Sequence, residues 1–325
     1  MSAWPIALAD VLAARERLRA HLPPTPLRSY AALDEAVGSG IRVLVKHENF
    51  QPTGAFKVRN GVSALTALSP LELRRGVVAA TRGNHGLGLA WAGRRLGAPV
   101  TVCVPLGNNP EKNAAVRGLG ARLVEEGRDY DESVAAAERL VAAEGLHLVH
   151  STNDPTVVAG AGTLTLEMLE AEPGIEALVF SVGGGSQAVG GLTVARALRP
   201  GLPVYAVQAA GASAIHDAWH LGRPVSKPSA STFADGLATR NTYPFTFGAL
   251  REGLAGFVTA TDAEIAEAVR LVLSTTHTLV EGAGAASLAG LLKLRDALAA
   301  KTVGIVLSGA NIDRETLARV LAGEL

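Results

Sequence analysis

Cysteine is nearly absent: the 325-residue chain has one, Cys103. A single thiol excludes an intrachain disulfide framework and any zinc site built on several cysteines. Aromatic residues are only 4% of the chain, which suits helices packed closely on sheets through small side chains better than a β-sandwich. No charge of either sign is in excess. Thirty Lys and Arg balance 30 Asp and Glu, so there is no electrostatic footprint for nucleic acid or an anionic membrane. No run approaches the ~18 uninterrupted apolar residues of a membrane helix. The N-terminal stretch lacks a basic region followed by an apolar one, so no signal peptide is expected. The expectation is a soluble, cytoplasmic protein with no nucleic-acid or membrane partner.

What is present is apolar and glycine-rich: 48% hydrophobic residues and 36 glycines. The length suffices for about two domains. Short Val/Ile/Leu runs predict strands over 42–46, 76–80, 99–104, 121–125, 177–182, 203–207 and 302–307. Such continuous apolar runs suit a sheet buried on both faces. Helices are predicted over 54–68, 84–97, 110–119, 129–144, 154–170, 187–198, 261–275, 281–298 and 312–324. Asp129 and Asp131, and Thr261 with Asp262, give N-cap signals. The alternation predicts an α/β fold with mainly parallel, twisted sheets flanked by helices. In such folds ligands bind beyond the carboxyl ends of the strands.

Four loops in those positions carry chemistry. In GAFKVR, 54–59, Lys57 falls in the first turn of a helix, where a cation is disfavoured. That lowers its pKa and favours the nucleophilic neutral amine. Taken alone, a solvated surface lysine explains it more simply. In TRGNHG, 81–86, Thr81, Asn84 and His85 set polar groups beside free helix N–H donors, a set able to hold a carboxylate. Taken alone, it also reads as a turn with Asn84 as N-cap. In GGGSQA, 183–188, successive glycines let backbone N–H groups ring a phosphate. The run also fits a dinucleotide fingerprint, but the next strand ends in neutral Gln208 rather than an acid for the ribose. In SGAN, 308–311, Ser308 emerges from a strand with its hydroxyl free to face a site, or simply opens a plain turn. Together these are the parts that pyridoxal 5′-phosphate requires.

With these motifs in this order over nearly the whole chain, the sequence resembles the fold-type II pyridoxal-phosphate enzymes. The branch is that of the threonine/serine dehydratases and serine racemases. TFADG, 232–236, and VEGAGAA, 280–286, add softer matches. The resemblance implies a tryptophan synthase β-like fold. A large cofactor domain of residues 1–75 and 153–325 would be interrupted by a small mobile domain of 76–152. It implies that Lys57 carries the Schiff base, that Phe56 backs the ring and that Asn84 bonds its O3′. Gly183, Gly184, Gly185, Ser186 and Gln187 would wrap the phosphate, and Ser308 would face the ring nitrogen. Thr81, Gly83 and His85 would hold the substrate carboxylate, Gly236 would line the site, and Glu281 would lie near the ring. The implied reaction is β-elimination from a hydroxy amino acid such as L-threonine or L-serine, in a homodimer. Other 3-hydroxy amino acids (3-hydroxyaspartate, phenylserine) and racemisation are the alternatives.

Several positions depart from the family pattern. Racemases of this kind place serine where this chain has Arg82, and a permanently charged guanidinium is a poor proton shuttle. Arg82 could instead read an anionic group on the substrate, or be an ordinary solvated arginine. The loop 208–214 lacks the carboxylates of metal-dependent members, so no divalent cation is expected there. Asn60, Leu87 and Ala310 replace residues usual in the family, which bears on pocket shape. The chain ends soon after Ser308, so no regulatory domain is expected behind it.

Overall fold

The computed structural model describes residues 4–325. Among them the strands are β1 (Leu27–Arg28), β2 (Arg42–Lys46), β3 (Val77–Ala80), β4 (Val100–Val104), β5 (Arg122–Glu125), β6 (His147–Leu148), β7 (Ala177–Ser181), β8 (Val204–Ala209), β9 (Gly256–Ala260) and β10 (Thr302–Val306). The helices of the first half are α1 (Leu8–Arg19), α2 (Ala31–Val37), α3 (Lys57–Ala67), α4 (Pro70–Arg75), α5 (Asn84–Leu96), α6 (Pro110–Gly118) and α7 (Tyr130–Glu144). Those of the second half are α8 (Pro155–Ala171), α9 (Ser186–Leu198), α10 (Ala214–Leu221), α11 (Pro244–Gly253), α12 (Asp262–Thr276), α13 (Gly282–Leu294) and α14 (Arg314–Ala322).

The strands form two sheets. The larger has the order β1-β2-β10-β7-β8-β9 and is parallel except at β1–β2; the smaller, β5-β4-β3-β6, is wholly parallel. Alternation of side chains decides the two faces of each sheet. In β7, Leu178 and Phe180 join α1, α8 and α9 in one core, while Ala177 and Val179 face α12 and α13 in another. In β3, Val77 and Ala79 pack with α3 and α5, and Val78 and Ala80 with α7.

All seven predicted strands and nine predicted helices are present with shifts of a few residues at their ends. Asp129 and Thr261 are the N-caps of α7 and α12, each accepting from a backbone N–H three residues on. The unpredicted strands have weak signals. β1 and β6 are two residues long, and β9 is an edge strand of only partial burial. Among the unpredicted helices, α4 buries no side chain and has no apolar stripe to read, although Ser69 and Glu72 build it a capping box.

The helix α3 ties the two sheets together. It packs on α5 beside the smaller sheet and on α8 beside the larger. Two glycines allow the first contact: a Cβ on Gly88 would lie 2.4 Å from the Lys57 carbonyl oxygen, and one on Gly61 would lie 2.5 Å from that of Gly88. Two residues beyond Lys57, Arg59 is 2% exposed and forks onto Glu48 at 2.8 and 2.9 Å and onto Glu167 at 2.6 and 2.8 Å. Lys46 completes the set against Glu167 at 2.5 Å. Two cations and two anions thus cancel, and each buried charge is hydrogen-bonded, as burial demands. The start of α3 is thereby held from both sides.

Candidate active site

The loops after β3, β7 and β10 converge with the start of α3 on a cavity of about 120 Å³ between the sheets. Its lining includes Phe56, Lys57, Thr81, Arg82, Gly83, Asn84, His85, Gly183, Gly184, Gly185, Ser186, Gln187, Gly236, Glu281 and Ser308. The residues singled out from the four motifs therefore meet in space, although they span 56–308 in the chain.

Lys57 opens α3 and borders the cavity. Its Nζ lies 3.2 Å from Ser186 Oγ, 3.5 Å from the Ser151 carbonyl and 4.8 Å from the centre of the Phe56 ring. No carboxylate among the described residues shifts it, and burial pushes its pKa down to about 8. Roughly a tenth of the amine is then neutral and nucleophilic at pH 7, and about half at pH 8. The direction expected from its place at the helix start is found, with desolvation as the cause.

Opposite the lysine, the turn from β7 into α9 is a cup of glycines. Gly185 has φ +100°, a conformation that favours glycine. A Cβ on Gly184 would lie 2.0 Å from Thr152 Oγ1, and one on Gly183 would lie 2.2 Å from the Gly236 carbonyl. Thr239 and Thr246 hydroxyls donate to the carbonyls of Gly183 and Gly184 at 3.2 and 2.9 Å. Those carbonyls are thus turned outward, away from any anion in the cup. Gln187 Nε2 is buried with no acceptor among the described residues. A buried donor left unpaired, beside the free N–H groups that open α9, is the arrangement an anion completes. Thr152, Thr239 and Thr246 had no sequence signal: isolated threonines far from the glycines carry no pattern.

The loop before α5 differs from its sequence reading in which groups stay free. Gly83, not Asn84, is the N-cap, and Asn84 is the first helical residue. The Asn84 amide donates to Glu281 at 2.5 Å and accepts from Asn311 at 2.7 Å. His85 Nε2 donates to the Val149 carbonyl at 3.0 Å, and burial followed by the field of Lys57 pushes its pKa down to about 3. The ring is neutral, and its buried Nδ1 is an acceptor without a partner among the described residues. The side chains of Asn84 and His85 thus do little for a carboxylate. The donors that remain are the first-turn N–H groups of α5 and the hydrogen of Thr81, whose oxygen accepts from Gly83 at 2.9 Å.

Ser308 is buried, with its hydroxyl 3.4 Å from the Ala283 carbonyl, and its own carbonyl accepts from the Phe56 N–H at 2.9 Å. That backbone bond fixes the SGAN loop to the lysine loop. Burial raises the pKa of Glu281, which lines the cavity and accepts from the Asn84 amide. Further lining residues were not foreseen: Lys112, Asp235, Tyr130, Ser151 and Tyr243. Lys112 binds Asp235 at 2.7 Å, and Tyr130 meets Ser151 hydroxyl to hydroxyl at 2.9 Å. Lys112, Tyr130, Ser151 and Tyr243 come from helices and coil with no motif, Asp235 lies in the TFADG stretch, and only folding brings them to the cavity.

An amine of lowered pKa, a glycine cup with a spare buried donor, and a neutral hydroxyl fit pyridoxal 5′-phosphate. Lys57 suits its aldehyde, residues 183–187 its phosphate and Ser308 its ring nitrogen. Fold and site together define an α/β enzyme of the fold-type II class. The family of pyridoxal-phosphate-dependent enzymes matches residues 18–309, and the chain belongs to that family. An L-threonine ammonia-lyase of Geobacter sulfurreducens is 38% identical over 308 residues, 95% of this chain and 76% of that protein. An L-threo-3-hydroxyaspartate ammonia-lyase of Pseudomonas sp is 33% identical over 97% of this chain and 98% of that one. The crystal structure of a threonine deaminase from T.th. aligns with a TM-score of 0.88 and 34% identity, over 95% of this chain and 99% of that one.

Proposed function

We propose that this protein is an ammonia-lyase that converts a hydroxy amino acid, such as L-threonine or L-serine, to a 2-keto acid and ammonia, the water lost in β-elimination being regained on hydrolysis. The observation that carries this reading is Lys57: an amine with no carboxylate partner among the described residues, of pKa about 8, at the meeting point of a phosphate cup and a carboxylate loop.

Pyridoxal phosphate, when bound, supplies an electron sink for a carbanion at Cα. The chain's own residues do the rest. The first turn of α5 and Thr81 take the α-carboxylate and so orient Cα. Lys57, mostly deprotonated above pH 8, takes the Cα proton. The β-hydroxyl then departs as water, and the released enamine hydrolyses to the keto acid and ammonium, with no net oxidation. Ser308 offers the ring nitrogen a neutral hydroxyl where a carboxylate would hold a proton, which favours prompt elimination over longer-lived carbanion chemistry. Asn84 is placed between Glu281 and Asn311 at the ring's expected edge.

The span 76–152, with the smaller sheet and the carboxylate loop, is proposed as a mobile unit that closes over substrate. Residues 1–75 and 153–325 would form the larger domain. Among the described residues no helix is long and apolar enough to cross a membrane, and a cytoplasmic homodimer acting on a small amino acid is the proposed setting. No divalent cation is assigned to the 208–214 loop.

The test is spectroscopic and chemical. Purified protein with cofactor should show absorbance near ~410–420 nm that borohydride removes, adding mass at Lys57. It should release keto acid from L-threonine or L-serine, and Lys57→Ala should do neither. A colourless protein that the cofactor cannot reconstitute would refute the reading.

A further inference from the structure

We propose that Arg82 is a specificity-determining residue: it pairs with a second carboxylate, on the substrate side chain, so that the site prefers a 3-hydroxy amino acid with an acidic side chain. This rests on the ammonia-lyase reading above and narrows its substrate.

The argument starts from charge pairing around the cavity. Lys112, the other lining cation outside the lysine loop, has Asp235 at 2.7 Å. Lys57 avoids the problem by losing its proton easily. Arg82 does neither. It lines the cavity, its Nε is buried, and no acceptor among the described residues reaches that Nε. Arg82 as a whole is half-buried, no carboxylate among the described residues forms an ion pair with it, and its guanidinium cannot shed its charge. Arg59, the fully buried arginine beside the site, has a carboxylate on each side of its fork, whereas the half-buried Arg82 has an enclosed Nε and none. A buried donor left without a partner is costly, and a bound anion removes the cost.

The α-carboxylate does not need Arg82. The free N–H groups of α5 and the Thr81 hydroxyl already form an anion cradle in the same loop. The guanidinium is therefore surplus for a substrate with one carboxylate, and is matched by a substrate with two. Its planar fork suits a carboxylate bidentately, which a neutral methyl or hydrogen at the same place cannot imitate.

The experiment compares two isosteric ligands that lack a β-hydroxyl, L-aspartate and L-asparagine. Binding to the cofactor-loaded enzyme is read from the shift in its visible absorbance. The wild type should bind L-aspartate at least about tenfold more tightly than L-asparagine. Arg82→Met should bring the two within about twofold, and Arg82→Lys should keep part of the difference. In turnover, the ratio of kcat/KM for threo-3-hydroxyaspartate to that for L-threonine should fall about 30-fold in Arg82→Met. Should Arg82→Met fail to fold with cofactor, Arg82→Gln serves in its place. Equal binding of the two ligands by the wild type overturns the proposal. So does a variant that weakens both ligands alike, since Arg82 would then serve the α-carboxylate. If no hydroxy amino acid yields ammonia but the contrast persists and vanishes in the variant, the ammonia-lyase reading fails and the Arg82 site stands. Ammonia from threonine and serine without any contrast removes the Arg82 proposal alone.

Discussion

Lys112 of α6 and Asp235, beside Gly236, meet across the cavity with ammonium and carboxylate 2.7 Å apart. The lysine stem runs along the carboxylate loop so closely that a Cβ on Gly83 would lie 2.8 Å from its Cδ. Burial alone would lower the Lys112 pKa, but Glu281 and Asp235 outweigh it and raise it. The same turn of chain sends Asn109 to Asp313 at 3.1 Å and Glu111 to Arg314 at 3.1 Å. One edge of the smaller sheet's helices is thus pinned to the larger sheet's loops at three points, beside the substrate loop.

Breaking the central pin should show in substrate binding. Lys112→Met is expected to raise KM about tenfold, worth about 1.4 kcal/mol, with a smaller change in kcat. The paired exchange Lys112→Asp with Asp235→Lys should recover part of the loss, and added salt should raise the wild-type KM because Asp235 is partly exposed. Steady-state kinetics in a salt series measures all three. An unchanged KM in Lys112→Met would show that the pair does not steady the loop.

Gly88→Ala should be destabilising by about 3 kcal/mol, the upper range for overpacking. The new methyl would meet the Lys57 carbonyl at 2.4 Å, and backbone on both helices leaves it nowhere to go. Because the clash lies at the first residue of α3, cofactor loading should fall as well. Urea unfolding and absorbance of the same samples measure the two effects.

Gly184→Ala should weaken cofactor binding about a hundredfold, or about 3 kcal/mol. Its methyl would overlap Thr152 Oγ1 at 2.0 Å and touch Thr152 Cβ at 3.0 Å. Adding Thr152→Ala removes the hydroxyl and not the Cβ, so recovery should be partial. Titration of the apoprotein with pyridoxal phosphate gives both affinities.

Stability should fall as pH drops below 6.5. His47 is pushed down to about 4 by burial, and His85 to about 3 by burial and then Lys57. The unfolded chain takes up protons at these histidines near pH 6.5, while the folded chain does not until pH 4 or 3. Acid therefore favours unfolding across that window. By pH 5 each histidine should cost about 2 kcal/mol relative to neutral pH. Urea midpoints between pH 7 and 5 test the sum. His85→Asn should flatten the dependence, and an unchanged slope would place the charge coupling elsewhere.

Much of the fold was legible because its strands are short apolar runs buried on both faces, bounded by glycines and helix caps. β7 and β10 are of this kind, and so is the capped start of α12. What escaped was marginal in burial. β9 lies at a sheet edge, and α4 buries nothing, so neither has a periodic apolar signal. The glycine cup and Lys57 were legible because backbone geometry and helix position are local properties. Lys112, Thr239 and Thr246 were not, since a cation or hydroxyl gains its meaning from a partner distant in the chain.

The sequence by itself determined the α/β class, the lysine and the glycine loop, since each follows from periodicity, turn chemistry or motif within a few residues. Only the tertiary structure decided which groups remain free for a ligand. It spent the Asn84 amide on Glu281 and Asn311, turned the His85 ring into a neutral acceptor, and left the buried Nε of Arg82 without a partner among the described residues while giving Arg59 two carboxylates. The reason is physical: pairing and desolvation depend on which side chains meet once the sheets are packed, and no local pattern in the chain records that.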